Sequence, residues 1–160
     1  MLIVHYKVGL VLYQKKKPFC GGSIISRQHI LTAAHCTFDK DPSSIQVLVG
    51  EHDTTDDNDM MYRIDIYNII NHPKFDNENG NYDFSILLVF PITFSPLAAP
   101  ICLPSSMQKL YTDWLTNQLA TVIGWGITSE GSSSPKLQKV EVKIISNEKC
   151  KDIYPGKIEK

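Results

Sequence analysis

Short segments rich in Val, Ile, Leu and aromatic residues recur along the chain, separated by clusters of Gly, Pro, Asn, Asp and Ser. Residues 8–14 (Val-Gly-Leu-Val-Leu-Tyr-Gln) run into a Lys-Lys-Lys-Pro loop, and residues 22–26, 29–32 and 45–49 follow as further apolar runs. Residues 61–67 alternate large and polar side chains and continue into Ile69-Ile70, which predicts a strand with one buried face. Residues 84–90 are almost continuously apolar, the pattern of a strand covered on both faces. Pro91, Pro96, Pro100 and Pro104 then exclude regular helix or central strand. Strand-like composition returns at residues 119–123 and 137–145, on either side of a Gly131-Ser-Ser-Ser-Pro135 loop. Ser146, followed by Asn147 and Glu148, predicts a short helix capped by the serine hydroxyl. Strands at this spacing with so little helix imply an all-β barrel or sandwich. Residues 1–104 hold enough strands to close one barrel, residues 105–118 read as a connection, and residues 119–160 open a second unit. Two strands do not make a stable unit by themselves, so the chain reads as cut short.

Composition narrows the function classes. Apolar residues make up 42% and charged residues 21%, ordinary values for a packed domain. The longest apolar run, Ile86 to Phe90, is far below the ~20 residues that cross a bilayer as a helix, so no membrane partner is expected. A net charge of −1, with Lys15-Lys16-Lys17 as the sole basic run, gives no footprint for nucleic acid. Met1-Leu2-Ile3-Val4 is followed at once by His5, Tyr6 and Lys7, so no secretory signal is visible. Four cysteines, Cys20, Cys36, Cys102 and Cys150, contain no Cys-x-x-Cys pair; their even number suits disulfides, and three pairings remain open.

The chemistry concentrates around Leu31-Thr32-Ala33-Ala34-His35-Cys36, where small residues precede a histidine and a cysteine follows it. Together with Cys20-Gly-Gly-Ser-Ile-Ile-Ser26, this segment resembles the first signature of the chymotrypsin/trypsin-like serine proteases. Gly50-Glu51-His52-Asp53, Asn71-His72-Pro73-Lys74-Phe75, Asn81-Tyr82-Asp83-Phe84-Ser85-Ile86-Leu87-Leu88, Pro100-Ile101-Cys102-Leu103-Pro104 and Gly124-Trp125-Gly126 resemble later family segments, in family order. The resemblance implies a double β-barrel fold, of which this chain would hold the first six-stranded barrel and the opening of the second. It also implies that His35 is the general base, that Asp83 is the carboxylate orienting it, and that Cys20 pairs with Cys36. In that chemistry the base removes the proton of a serine hydroxyl as it attacks an amide carbonyl. The carboxylate fixes the imidazole tautomer and stabilises the imidazolium.

The departures from the family pattern matter as much. No Gly-Asp-Ser-Gly-Gly-Pro segment occurs in the 160 residues, and Gly131-Ser-Ser-Ser-Pro135 does not stand where the family places its nucleophile. Ile3-Val4-His5-Tyr6 shares only two letters with the family's activated amino terminus. Cys150 matches a cysteine whose partner would lie beyond the chain, and Cys102 matches one that tethers a pro- or clip-type segment in many relatives. Glu51 matches the first carboxylate of the family's calcium loop and Asp53, Asp56, Asp57 and Asp59 add charge, but Met61 stands at the closing carboxylate. A hard cation wants six to eight oxygens, so a solvated acidic loop is expected and no cofactor. Cys20, His29, His35 and Cys36 as zinc ligands fit less well than a disulfide beside a base. The expectation is therefore a secreted serine endopeptidase acting on protein or peptide substrates, inactive as written. The rival reading is a non-catalytic protease homologue that binds or regulates partners.

Overall fold

The computed structural model describes residues 7–56, 58, 62–104 and 115–155. Asp57, Asp59, Met61, the Ile3-Val4-His5-Tyr6 stretch and residues 105–114 lie outside the described residues. Along the described residues the order is β1 (Lys7–Leu12), β2 (Cys20–Ile24), β3 (His29–Thr32), a 3-10 turn at Ala34–Cys36, another at Pro42–Ser44, β4 (Ile45–Val49), β5 (Tyr62–Asn71), β6 (Ser85–Val89), β7 (Leu119–Gly124), β8 (Gln138–Lys143) and helix α1 (Asn147–Ile153).

The chain divides into two compact units, Met1–Cys102 with Gly124–Gln138, and Leu103–Ile123 with Lys139–Lys160. In the first, six antiparallel strands close a barrel in the order β1-β2-β3-β6-β5-β4. The all-β expectation and the six-stranded first barrel are both met. Successive residues of a strand point to opposite faces, and one phase of each strand fills the interior. Val8 and Leu10, Ile24, Ile30, Ile45, Val47 and Val49, Ile64 and Ile66, and Leu87 and Val89 form that core, with Ile92 and Ala98 closing it from the following loop.

The barrel is tight where β2 crosses its neighbours. A Cβ built on Gly22 would lie 2.7 Å from Ile30 Cγ2 and 3.2 Å from Val8 Cγ2, so only glycine lets these strands approach. The reading of residues 84–90 as covered on both faces needs correction. Within β6, Ser85, Leu87 and Val89 are buried while Ile86 and Leu88 are half-buried, and the flanking Phe84 and Phe90 are 59% and 58% exposed. The outward phase of a small barrel is only partly covered, and an apolar run cannot reveal which of its residues lie there.

β5 carries a register shift between Ile66 and Asn68, after which Asn68 to Asn71 pair with Leu88 back to Ser85. One extra residue in a strand bends it locally. Here the pairing beyond it brings the end of β5 beside the start of β6. In the second unit, Asn117 and Gln118 exchange backbone bonds with Ile144 at 2.8 and 2.9 Å, and Ser146 caps α1 by accepting from the Lys149 N–H at 3.2 Å, as its sequence predicts. The remaining sheet pairs β7 with β8.

Candidate active site

β3 ends at Thr32, whose hydroxyl donates to the Gly21 carbonyl at 2.8 Å and ties the strand end to β2. Ala33 is extended and the chain then turns through Ala34–Cys36, with Ala34 and Cys36 buried. Ala34 is fully enclosed, so a larger side chain there would have to displace its neighbours. Cys36 is bonded to Cys20, as the resemblance implies, and Thr37 Oγ1 donates to Asn71 Oδ1 at 2.7 Å on the next segment. His35 is thus the outward residue of a turn held on both sides, and its side chain is 60% exposed.

Asp83 reaches the same place from a different direction. The loop after β5 folds back on itself through Asp76, whose carboxylate accepts from the Glu78 and Asn79 N–H groups and from Asn79 Nδ2. Those bonds hold Asp76 below its usual carboxylate range. Gly80, at φ 69°, supplies the left-handed turn that returns the chain towards β6. Asp83 Oδ2 then sits 2.6 Å from His35 Nδ1, and Asp83 Oδ1 accepts the His35 backbone N–H at 2.8 Å.

Burial works against the charge of Asp83. The bonds from the His35 ring and backbone, the attraction of the imidazole and the Ala34 N–H outweigh it and hold the carboxyl below its ordinary range. An ionised carboxylate only accepts, so Nδ1 carries the proton and Nε2 of a neutral ring keeps its lone pair. Nε2 lies 3.4 Å from Cys36 Sγ. The arrangement is a base with a fixed tautomer, able to take a proton from a hydroxyl placed beside Nε2.

A trypsin family model matches residues 4–160. The chain belongs to the trypsin family. Its relatives include the venom serine protease of Polistes dominula, 34% identical over 94% of this chain and 55% of its own length. Trypsin-1 of Astacus astacus is 36% identical over 85% of this chain and 57% of its own length, and trypsin of Sus scrofa 37% identical over 88% and 58%. The chain spans little more than half the length of these curated relatives.

Other expected trypsin-family features fare differently. Glu51 is buried, but the Asp53 carboxylate is engaged by Thr55 and by Lys136 Nζ at 3.7 Å, and Asp56 Oδ1 accepts from Asn58. The Asp53 and Asp56 carboxylates turn towards their own loop and towards Lys136, and Asp57, Asp59 and Met61 of the same loop lie outside the described residues. The sulfur atoms of Cys20 and Cys36 lie close to His35 but are joined to each other, and His29 Nδ1 pairs with Ser26 Oγ at 2.6 Å. Cys102, exposed, and Cys150, half-buried, are free thiols. Among the described residues no helix is long and apolar enough to cross a membrane. Sequence reasoning assigned nothing to residues 76–80, although Asp76 and Gly80 in Asp-Asn-Glu-Asn-Gly mark a turn by their chemistry alone.

Proposed function

We propose that this chain carries the base and orienting acid of a serine endopeptidase, with His35 and Asp83 in those roles and the peptide bonds of proteins as substrate. The single observation that carries the reading is the double contact of Asp83 with His35, at Nδ1 and at the backbone N–H, 2.6 and 2.8 Å. In the reaction the hydroxyl proton passes to Nε2 as oxygen attacks the carbonyl, and the same nitrogen later returns it to the leaving amine. The family's nucleophile segment, Gly-Asp-Ser-Gly-Gly-Pro, does not occur among these 160 residues, so in this reading the chain as written does not turn over substrate. Loss of the nucleophile costs on the order of 10⁶ in turnover, and loss of the oxyanion donors removes what would remain.

No cofactor enters this reading. A peptide or protein partner and an oxidising, extracellular setting suit the Cys20–Cys36 bridge, and the exposed Cys102 suits a tethered pro- or clip-type segment. A fluorophosphonate probe and a fluorogenic peptide panel test the proposal on this chain and on a form extended to the full length of the relatives. The extended form should label stoichiometrically and lose turnover on His35→Ala, while the 160-residue chain stays silent. Stoichiometric labelling of the short chain would overturn the assignment of the nucleophile. An extended form that folds, binds protein partners and never labels would establish the non-catalytic homologue instead.

A further inference from the structure

Asp83 follows a residue held in an unusual backbone conformation. Tyr82, before it, has φ 54°, in the left-handed region that a bulky side chain rarely adopts. The Phe84 N–H, after it, donates back to the Tyr82 carbonyl at 2.7 Å, closing a three-residue turn around Asp83. Strained backbone of this kind persists only where its surroundings over-determine it. One residue from the loop after β5 touches both flanks of that turn. The His72 backbone N–H donates to the Phe84 carbonyl at 2.8 Å, and the His72 imidazole lies on the Tyr82 ring with centroids 4.9 Å apart and planes within 5°. The imidazole is itself oriented, because the Lys74 N–H donates to His72 Nδ1 at 3.2 Å. Lys74 Nζ then covers the same Tyr82 ring, 5.7 Å from its centroid.

We infer that His72 is a positioning residue for Asp83: its stack on Tyr82 and its backbone bond to Phe84 hold the left-handed turn that aims the carboxylate at His35, an assignment that rests on reading the His35–Asp83 pair as catalytic. A carboxylate on a free loop would meet the imidazole only part of the time. Clamped at both neighbours, it is presented to Nδ1 and to the His35 N–H together. Removing the ring of His72 leaves its backbone donor in place, so the stack can be tested separately.

The test uses the isotopically labelled 160-residue chain and reads the His35–Asp83 contact directly, without proteolysis. Its signals are the far-downfield resonance of the His35 Nδ1 proton and the exchange rates of the His35 and Phe84 amides, with the Leu87 amide of β6 as a barrel reference. His72→Ala should broaden or remove the downfield proton and speed exchange at His35 and Phe84 about two- to tenfold, the range a stacked ring pair supports, with Leu87 unchanged. His72→Phe, which keeps a ring face, should restore the wild-type values. In a Tyr82→Asn background, where the left-handed backbone is tolerated but the ring is gone, His72→Ala should have no further effect. Should His72→Ala not fold, Tyr82→Asn alone decides, through the same faster exchange or its absence. Wild-type behaviour in the unstacked variants overturns the clamp, and so does equal acceleration at Leu87, which would mark a purely structural role. A wild-type chain without the downfield proton overturns the catalytic pair and the clamp together.

Discussion

Asp83 does two separable things for His35: it accepts the ring Nδ1–H, and it anchors the backbone of the turn. Asp83→Asn keeps an oxygen for the backbone N–H but offers an amide in place of the second acceptor. The ring then rotates its proton to Nε2, and the base is lost while the turn survives. In an extended, active form the expected loss in turnover is the roughly 10⁴-fold already established for this change in chymotrypsin-like enzymes. The same substitution reads out the pH dependence. Asp83 ionises below its ordinary range in the folded chain, so the unfolded chain binds the proton first as pH falls. Its stabilisation is therefore complete above the unfolded carboxylate value of about 3.9 and disappears as pH drops through the lower folded value. Chemical unfolding across that acid range should show the wild-type chain losing more stability than Asp83→Asn; parallel curves would contradict the assignment.

At the scale of elements, the site depends on how β3 and β6 are paired. Thr32 lies opposite Ser85, which places the residues just beyond each strand end, His35 and Asp83, at one rim of the barrel. Leu87 sits at the centre of β6, fully enclosed and paired with Ile30 and Ile69. Leu87→Ala should cost about 2–5 kcal/mol, the transfer of its side chain plus the cavity left in a rigid barrel. Val140→Ala in β8, a strand exposed along its whole length, should stay within about 0.5 kcal/mol. Urea unfolding followed at the barrel would check both, and comparable losses would mean that β8 is packed far more than its exposure indicates.

For the whole molecule, the Cys20–Cys36 bridge spans 16 residues and ties β2 to the His35 turn. The double replacement Cys20→Ser with Cys36→Ser should lower stability by about 3 kcal/mol on the chain-entropy account, measured by thermal unfolding without reductant. An unchanged midpoint would show that the barrel holds the turn unaided. The places of the strands, the one-faced pattern of β5 and the Ser146 cap were legible in the amino-acid order, because periodicity, capping and turn chemistry act over a few neighbouring residues. The choice among cysteine pairings was not, nor was Asp83 from among 17 acidic residues, except through resemblance. The outward exposure of Phe84 and Phe90 was hidden for the same reason that Tyr82 gave no sign of its left-handed backbone. Each depends on what lies across the barrel or beyond the next turn. His35 and Asp83 are 48 positions apart, and no local pattern connects them. Barrel closure sets the β3–β6 register, the shift in β5 accompanies His72 to the rim, and only those long-range pairings turn separate residues into a base and the acid that orients it.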